Sequence, residues 1–146
     1  MKRLTLTLLL VAAAMATAVA QGVKGNYRKA DRYLGRGEIA EAKKYADAAV
    51  KREKFADRGK AWLVKGKVYQ AIALSEDESI QKLAPNALEV ALESYDKVRE
   101  LEDEGSSIMK ELTETQGADL ATGQIKPSIL EEFRNAYFNK GVEHYN

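Results

Sequence analysis

Residues 60–73 read KAWLVKGKVYQAIA, which sets Trp62, Gly66 and Tyr69 at offsets of 0, 4 and 7. Side chains so spaced fall on one face of an α-helix. A glycine on that face lets a neighbouring backbone come close while the two aromatics fill its flanks. Ala61, Trp62, Val68, Tyr69, Ile72 and Ala73 extend the motif into one apolar stripe, and Leu88, Ala91, Leu92, Tyr95, Val98 and Leu101 form a second. The two stripes predict a pair of amphipathic helices. Between them residues 75–86, SEDESIQKLAPN, make a long helix–helix connection. Pro85 disfavours helix at Ala84, and Asn86 with Glu89 has the spacing of a capping box that opens the second helix.

The same grammar continues towards both ends. Upstream, Tyr27, Ala30, Tyr33 and Leu34, then Ile39, Ala42, Tyr45, Ala46, Ala49 and Val50, recur at spacings of three and four. Gly35-Arg36-Gly37-Glu38 separates them, and a glycine at positive φ there would end the first helix and turn the chain back. Downstream, Gly105-Ser106-Ser107 breaks the pattern before a short helical stretch with Ile108, Met109 and Leu112, and residues 116–127 read as loop. A last helix follows, with capping-box spacing at Ser128 and Glu131 and a face of Phe133, Tyr137, Gly141 and Tyr145. The period-two alternation of strands is absent, so the chain reads as all-α.

The first twenty residues have a different character. Lys2 and Arg3 carry charge, Leu4 to Val19 are almost wholly apolar, and Ala18-Val19-Ala20 sets small residues at −3 and −1 of a cut before Gln21. Residues 1–20 therefore read as a secretory signal peptide. The alternative is an uncleaved anchor, because the apolar run nearly reaches the roughly 20 residues that span a bilayer. Cleavage would leave 126 of the 146 residues and move the net charge from +1 to −1. Residues 21–146 are then long enough for one domain with a continuous core.

Composition excludes several chemistries. There is no cysteine, hence no disulfide, thiolate nucleophile, Cys-ligated zinc or lipidated N-terminal Cys. The near-neutral balance offers no footprint for nucleic acid. No Asn-x-Ser/Thr acceptor occurs, which favours a bacterial exported protein over a glycosylated one, most simply periplasmic or else extracellular. The single histidine, His144, has no second histidine to share a metal or orient it as a base. Glu76, Asp77 and Glu78, and Glu100, Glu102, Asp103 and Glu104, lack the spacing of a calcium loop and read as solvated acidic segments. Tyr27, Tyr33, Tyr45, Trp62, Tyr69, Tyr95 and Tyr137 fall on the apolar stripes, where aromatics serve as core. No catalytic residue, metal site or cofactor site is predicted.

With Trp62, Gly66 and Tyr69 in the first helix and Ala91 and Val98 in the second, the chain resembles a tetratricopeptide repeat (TPR) array of the kind found in exported proteins of the Bacteroidetes. The earlier pair matches through Ala30, Tyr33, Gly37, Ala42 and Ala49, with Asn26 where the large aromatic would stand. A third unit is suggested by Tyr137 and Gly141, although His144 replaces its second aromatic. The spacing from Asn26 to Trp62 is 36 rather than the 34 of the family's unit. The resemblance implies antiparallel hairpins stacked as a short right-handed solenoid, with pairs at about 23–56 and 58–103 and a third unit begun at about 128–146. In the family a further helix would follow, so the chain reads either as the front of a longer protein or as an array covered by residues 128–146.

The resemblance also implies function. A stack of hairpins supplies no reactive group, and it presents the first helix of each pair to a partner. Carried onto this chain, the groove-lining positions are Tyr27 and Asp31, then Lys60, Leu63, Lys67 and Gln70, then Phe138 and Tyr145. The two lysines would engage acidic or C-terminal carboxylate groups of an extended peptide. The expectation is a non-enzymatic scaffold for protein–protein contact in the bacterial cell envelope, not inserted in the membrane after cleavage. A self-associating subunit, or the front part of a larger envelope protein, is the alternative.

Overall fold

Asn26 opens the first helix, its side-chain oxygen accepting from the backbone N–H groups of Arg28 (3.0 Å) and Lys29 (3.3 Å). That is the N-cap role of a short polar side chain. The helix, α1 (Tyr27–Gly35), ends where Gly37 takes φ 76°. Glu38 N–H then donates to Tyr33 O (2.9 Å) and Gly37 N–H to Leu34 O (2.9 Å), the paired bonds of a Schellman turn. The chain reverses at once into α2 (Ile39–Val50), as the Gly-Arg-Gly reading requires. These coordinates come from a computed structural model, which describes residues 22–114 and 127–143. The expected signal peptide, the loop before Pro127, His144 and Tyr145 lie outside the described residues.

A single turn, α3 (Glu53–Ala56), leads into α4 (Gly59–Leu74), and another, α5 (Glu78–Gln81), lies within the long connection to α6 (Ala87–Leu101). Asp77 caps α5 by accepting from Ser79 N–H (2.8 Å). The Asn86 side chain makes no capping bond, so the expected box with Glu89 does not form; the Ala87 N–H instead bonds to Ala84 O in a turn (3.0 Å). Ser106 caps α7 (Ser107–Thr113), and Ser128 Oγ accepts from Glu131 N–H (3.1 Å) at the start of α8 (Ile129–Glu143). Among the described residues there are eight helices and no strand, and packed neighbours run antiparallel.

The core is organised around α4. It packs most extensively on α6, then on α2 and α1, and more lightly on α7 and α8. Ala61, Leu63, Val64, Val68 and Ile72 are completely buried, because a helix with neighbours on several sides has no face left for water. Tyr69 is buried and Trp62 is partly buried, its Nε1 donating to Ala56 O at 2.7 Å. Gly66 does admit a close neighbour, but that neighbour is the ring of Tyr95 rather than a backbone. A backbone contact of that kind occurs at Gly25, where an added Cβ would stand 2.0 Å from the carbonyl carbon of Ala48 on α2.

Two residues expected on buried stripes are exposed. Leu92 is 40% and Tyr137 56% accessible, since each lies beside the open space between α6 and α8 and no described residue covers either.

Candidate functional site

The face predicted to grip a partner carries a row of charges that satisfy one another. Lys67 on α4 lies 3.6 Å from Asp31 on α1 and 3.5 Å from Glu111 on α7. Lys60, two turns earlier on α4, donates to the other oxygen of Glu111. Burial pushes the Glu111 carboxyl up, yet the hydrogen bond and charge of Lys60, with the charge of Lys67, outweigh it and hold the group below its ordinary range. Two lysines expected to receive a visitor's carboxylate thus already hold one from their own chain. Opposed charges on three helices tie α1, α4 and α7 together and leave little net field on that surface.

The remaining predicted residues divide by burial. Leu63 is fully buried, and Tyr27 and Gln70 nearly so, which removes them from any open groove. Tyr27 packs edge-on against Phe55 with ring centroids 5.2 Å apart. Gln70 accepts the Tyr95 hydroxyl at 2.6 Å inside the α4–α6 interface. Asp31 is exposed, and Phe138 is 70% accessible. Residue-by-residue transfer of the repeat pattern placed three core residues in the groove. The burial of Leu63 and Gln70 follows from the number of helices around α4, and that of Tyr27 from its packing on Phe55 of α3.

Sequence reading missed the open surface at the other side of α6. A hollow of about 650 Å³ lies between α6 and α8, lined by Leu92, Leu130, Phe133 and Tyr137 with Arg99 and Arg134 at its margin. A second hollow, of about 630 Å³, lies between the end of α4, α5 and the start of α6, and Tyr137 borders it too. Phe133 closes the floor, packed edge-on against Tyr95 at 5.7 Å. Exposed Tyr137 therefore stands at the rim of both hollows, with exposed Phe138 next to it on α8, an arrangement suited to receiving apolar side chains. Periodicity alone marked Leu92 and Tyr137 as apolar-face residues; only the position of α8 leaves them uncovered.

One further polar cluster is structural. Tyr69 Oη donates to Asp47, with both carboxylate oxygens at 2.9 Å, and Lys43 lies 2.9 Å and Lys65 3.9 Å from the same carboxylate. It joins α2 to α4. Burial, then the Asp47 charge, raises the Tyr69 pKa above its ordinary value. Among the described residues no group of His, Asp and Glu side chains has a metal-binding arrangement, and no helix is long and apolar enough to cross a membrane. Compared with family models, curated proteins and solved structures, the chain matches none of them.

Proposed function

We propose that the protein is a non-enzymatic helical scaffold of the TPR kind that holds a segment of another protein in the bacterial cell envelope. The observation that carries this reading is the apolar surface around Tyr137. Leu92 and Tyr137 are exposed and line the hollow of about 650 Å³, Tyr137 also borders the one of about 630 Å³, and Phe138 is exposed next to it on α8. The repeat interpretation draws support from the pairing of α1 with α2 and α4 with α6, and from the glycine in α4 that accommodates a large ring of the partner helix. On this interpretation the third unit begins with α8, within 128–146, and α7 packs between it and the α4–α6 pair. The partner-holding surface is then the α6–α8 side rather than the neutralised lysine row.

Photo-crosslinking residues placed singly at Tyr137, Phe138, Lys60 and Lys67 in the exporting bacterium test the reading. Products that recur at 137 and 138, identified by mass spectrometry as one protein, are expected. Products from 60 and 67 alone, or from none, would overturn the surface assignment. N-terminal sequencing of the mature chain, expected to begin at Gln21, tests export separately.

A further inference from the structure

The near-zero net charge conceals a segregation of charge along the chain. Residues 22–74 contain fourteen basic and six acidic side chains, whereas residues 75–114 contain four basic and twelve acidic, a balance of +8 followed by −8. The fold converts this order into a spatial one. Basic α1, with three basic residues and one acidic, and acidic α6, with four acidic and two basic, each pack on α4 and share no substantial contact, so their exposed rows do not pair with each other within one molecule.

Each surface presents a regular row. Arg28, Arg32 and Arg36 recur every four residues along the exposed side of α1 and its C-cap. Glu89, Glu93 and Asp96 recur along the exposed side of α6 at spacings of four and three. At about 1.5 Å per residue the rows are about 12 and 11 Å long, a match in length as well as in sign. Arg32, Glu89 and Glu93 form no ion pair with another described residue, and Arg36 and Asp96 have only exposed local partners at 3.8 and 3.3 Å.

We propose that these rows are the two halves of a head-to-tail contact between copies of this chain, α1 of one molecule lying along α6 of the next. Because the two patches differ, the contact is heterologous and propagates into open chains or rings. It uses α1 and α6 and adjoins the apolar surface around Tyr137, where Glu89 also lines the second hollow, but its readout, salt-dependent self-association of the purified chain, is separate from the crosslinks that test the partner-binding reading.

Sedimentation velocity of the purified full chain tests it. At about 20 mM salt, association should rise with protein concentration, and it should disappear by about 500 mM, where charges more than a few ångströms apart are screened. Arg28→Glu with Arg32→Glu, and separately Glu89→Lys with Glu93→Lys, should each weaken association at least about tenfold by setting like charges opposite. An equimolar mixture of the two double variants should recover it, because each then offers the other a complementary row. Lys51→Glu with Lys54→Glu, an equal charge change on exposed positions outside the rows, should alter it less than about twofold. Circular dichroism confirms that each variant is folded. A monomer at every concentration in low salt, association that survives high salt, or failure of the mixture to recover would overturn the proposal; the last result, with loss confined to the arginine variant, would assign α1 to a different anionic partner.

Discussion

The ring of Tyr95 lies against Gly66 so closely that a methyl group on Gly66 would stand 2.2 Å from Tyr95 Cε1. The ring has no room to retreat, since Tyr95 is fully buried and its hydroxyl is held by Gln70. Gly66→Ala would gain about 0.5–1 kcal/mol of helix propensity and lose about 1–3 kcal/mol to overpacking. A net loss of stability of about 1–2 kcal/mol is expected. Urea unfolding followed by the fluorescence of Trp62, the chain's single tryptophan, measures it, and unchanged or increased stability would contradict the contact.

Tyr95 also predicts a response to alkali. Burial first, and the charge of Glu132 second, push its phenol far above the ordinary value of 10.0, and Tyr69 is raised by burial and Asp47. Unfolding lets both ionise near that ordinary value. Their contribution is therefore complete below about pH 10 and is lost as pH rises through the folded values. Tyr95→Phe should lower neutral-pH stability by about 1–2 kcal/mol, because Gln70 loses a buried donor, and should flatten the alkaline decline. Urea unfolding at pH 7 reads the first effect, and tyrosinate absorbance against pH, compared in the two proteins, reads the second.

Glu111 sets the acid side. Its carboxyl is held below the ordinary 4.5, so folding favours the charged form. The stabilisation is fully present above about pH 4.5 and disappears as pH falls through the folded value. The partners are about one-third exposed, which limits the coupling with Lys60 to about 0.5–1 kcal/mol. A double-mutant cycle of Glu111→Gln and Lys60→Met at pH 7 and pH 3 should show that coupling in full at pH 7 and reduced at pH 3.

Much of the fold was legible from local chemistry. The Gly35-Arg36-Gly37 reversal, the two stripes around Trp62 and Tyr95, and the Ser128 cap are each decided by residues within a few positions of one another. What escaped was tertiary. Leu63, Val64, Val68, Ile72 and Ala73 give α4 apolar residues on nearly every side, a composition that signals an enclosed helix and so argues against an open face at Leu63 and Gln70. The pairing of Lys60 and Lys67 with Glu111 spans 51 and 44 positions, beyond any sequence window. Exposure of Leu92 and Tyr137 depends on where α8 settles, which the apolar period of α6 does not encode.

The two candidate surfaces respond oppositely to substitution. Tyr137 and Phe138 are 56% and 70% exposed, so Tyr137→Ser and Phe138→Ser should change stability by no more than about 0.5 kcal/mol while removing the crosslinked partner. Lys60→Glu with Lys67→Glu would instead set Glu111 and Asp31 against two more carboxylates. That change should cost about 1–3 kcal/mol and loosen α7 from α4, because an ion pair held in place by packing becomes a repulsion. Thermal unfolding and in-cell crosslinking of the two double variants separate the roles. A stable lysine variant that lost its partner, beside a Tyr137 and Phe138 variant that kept it, would return the binding surface to the α1–α4–α7 face.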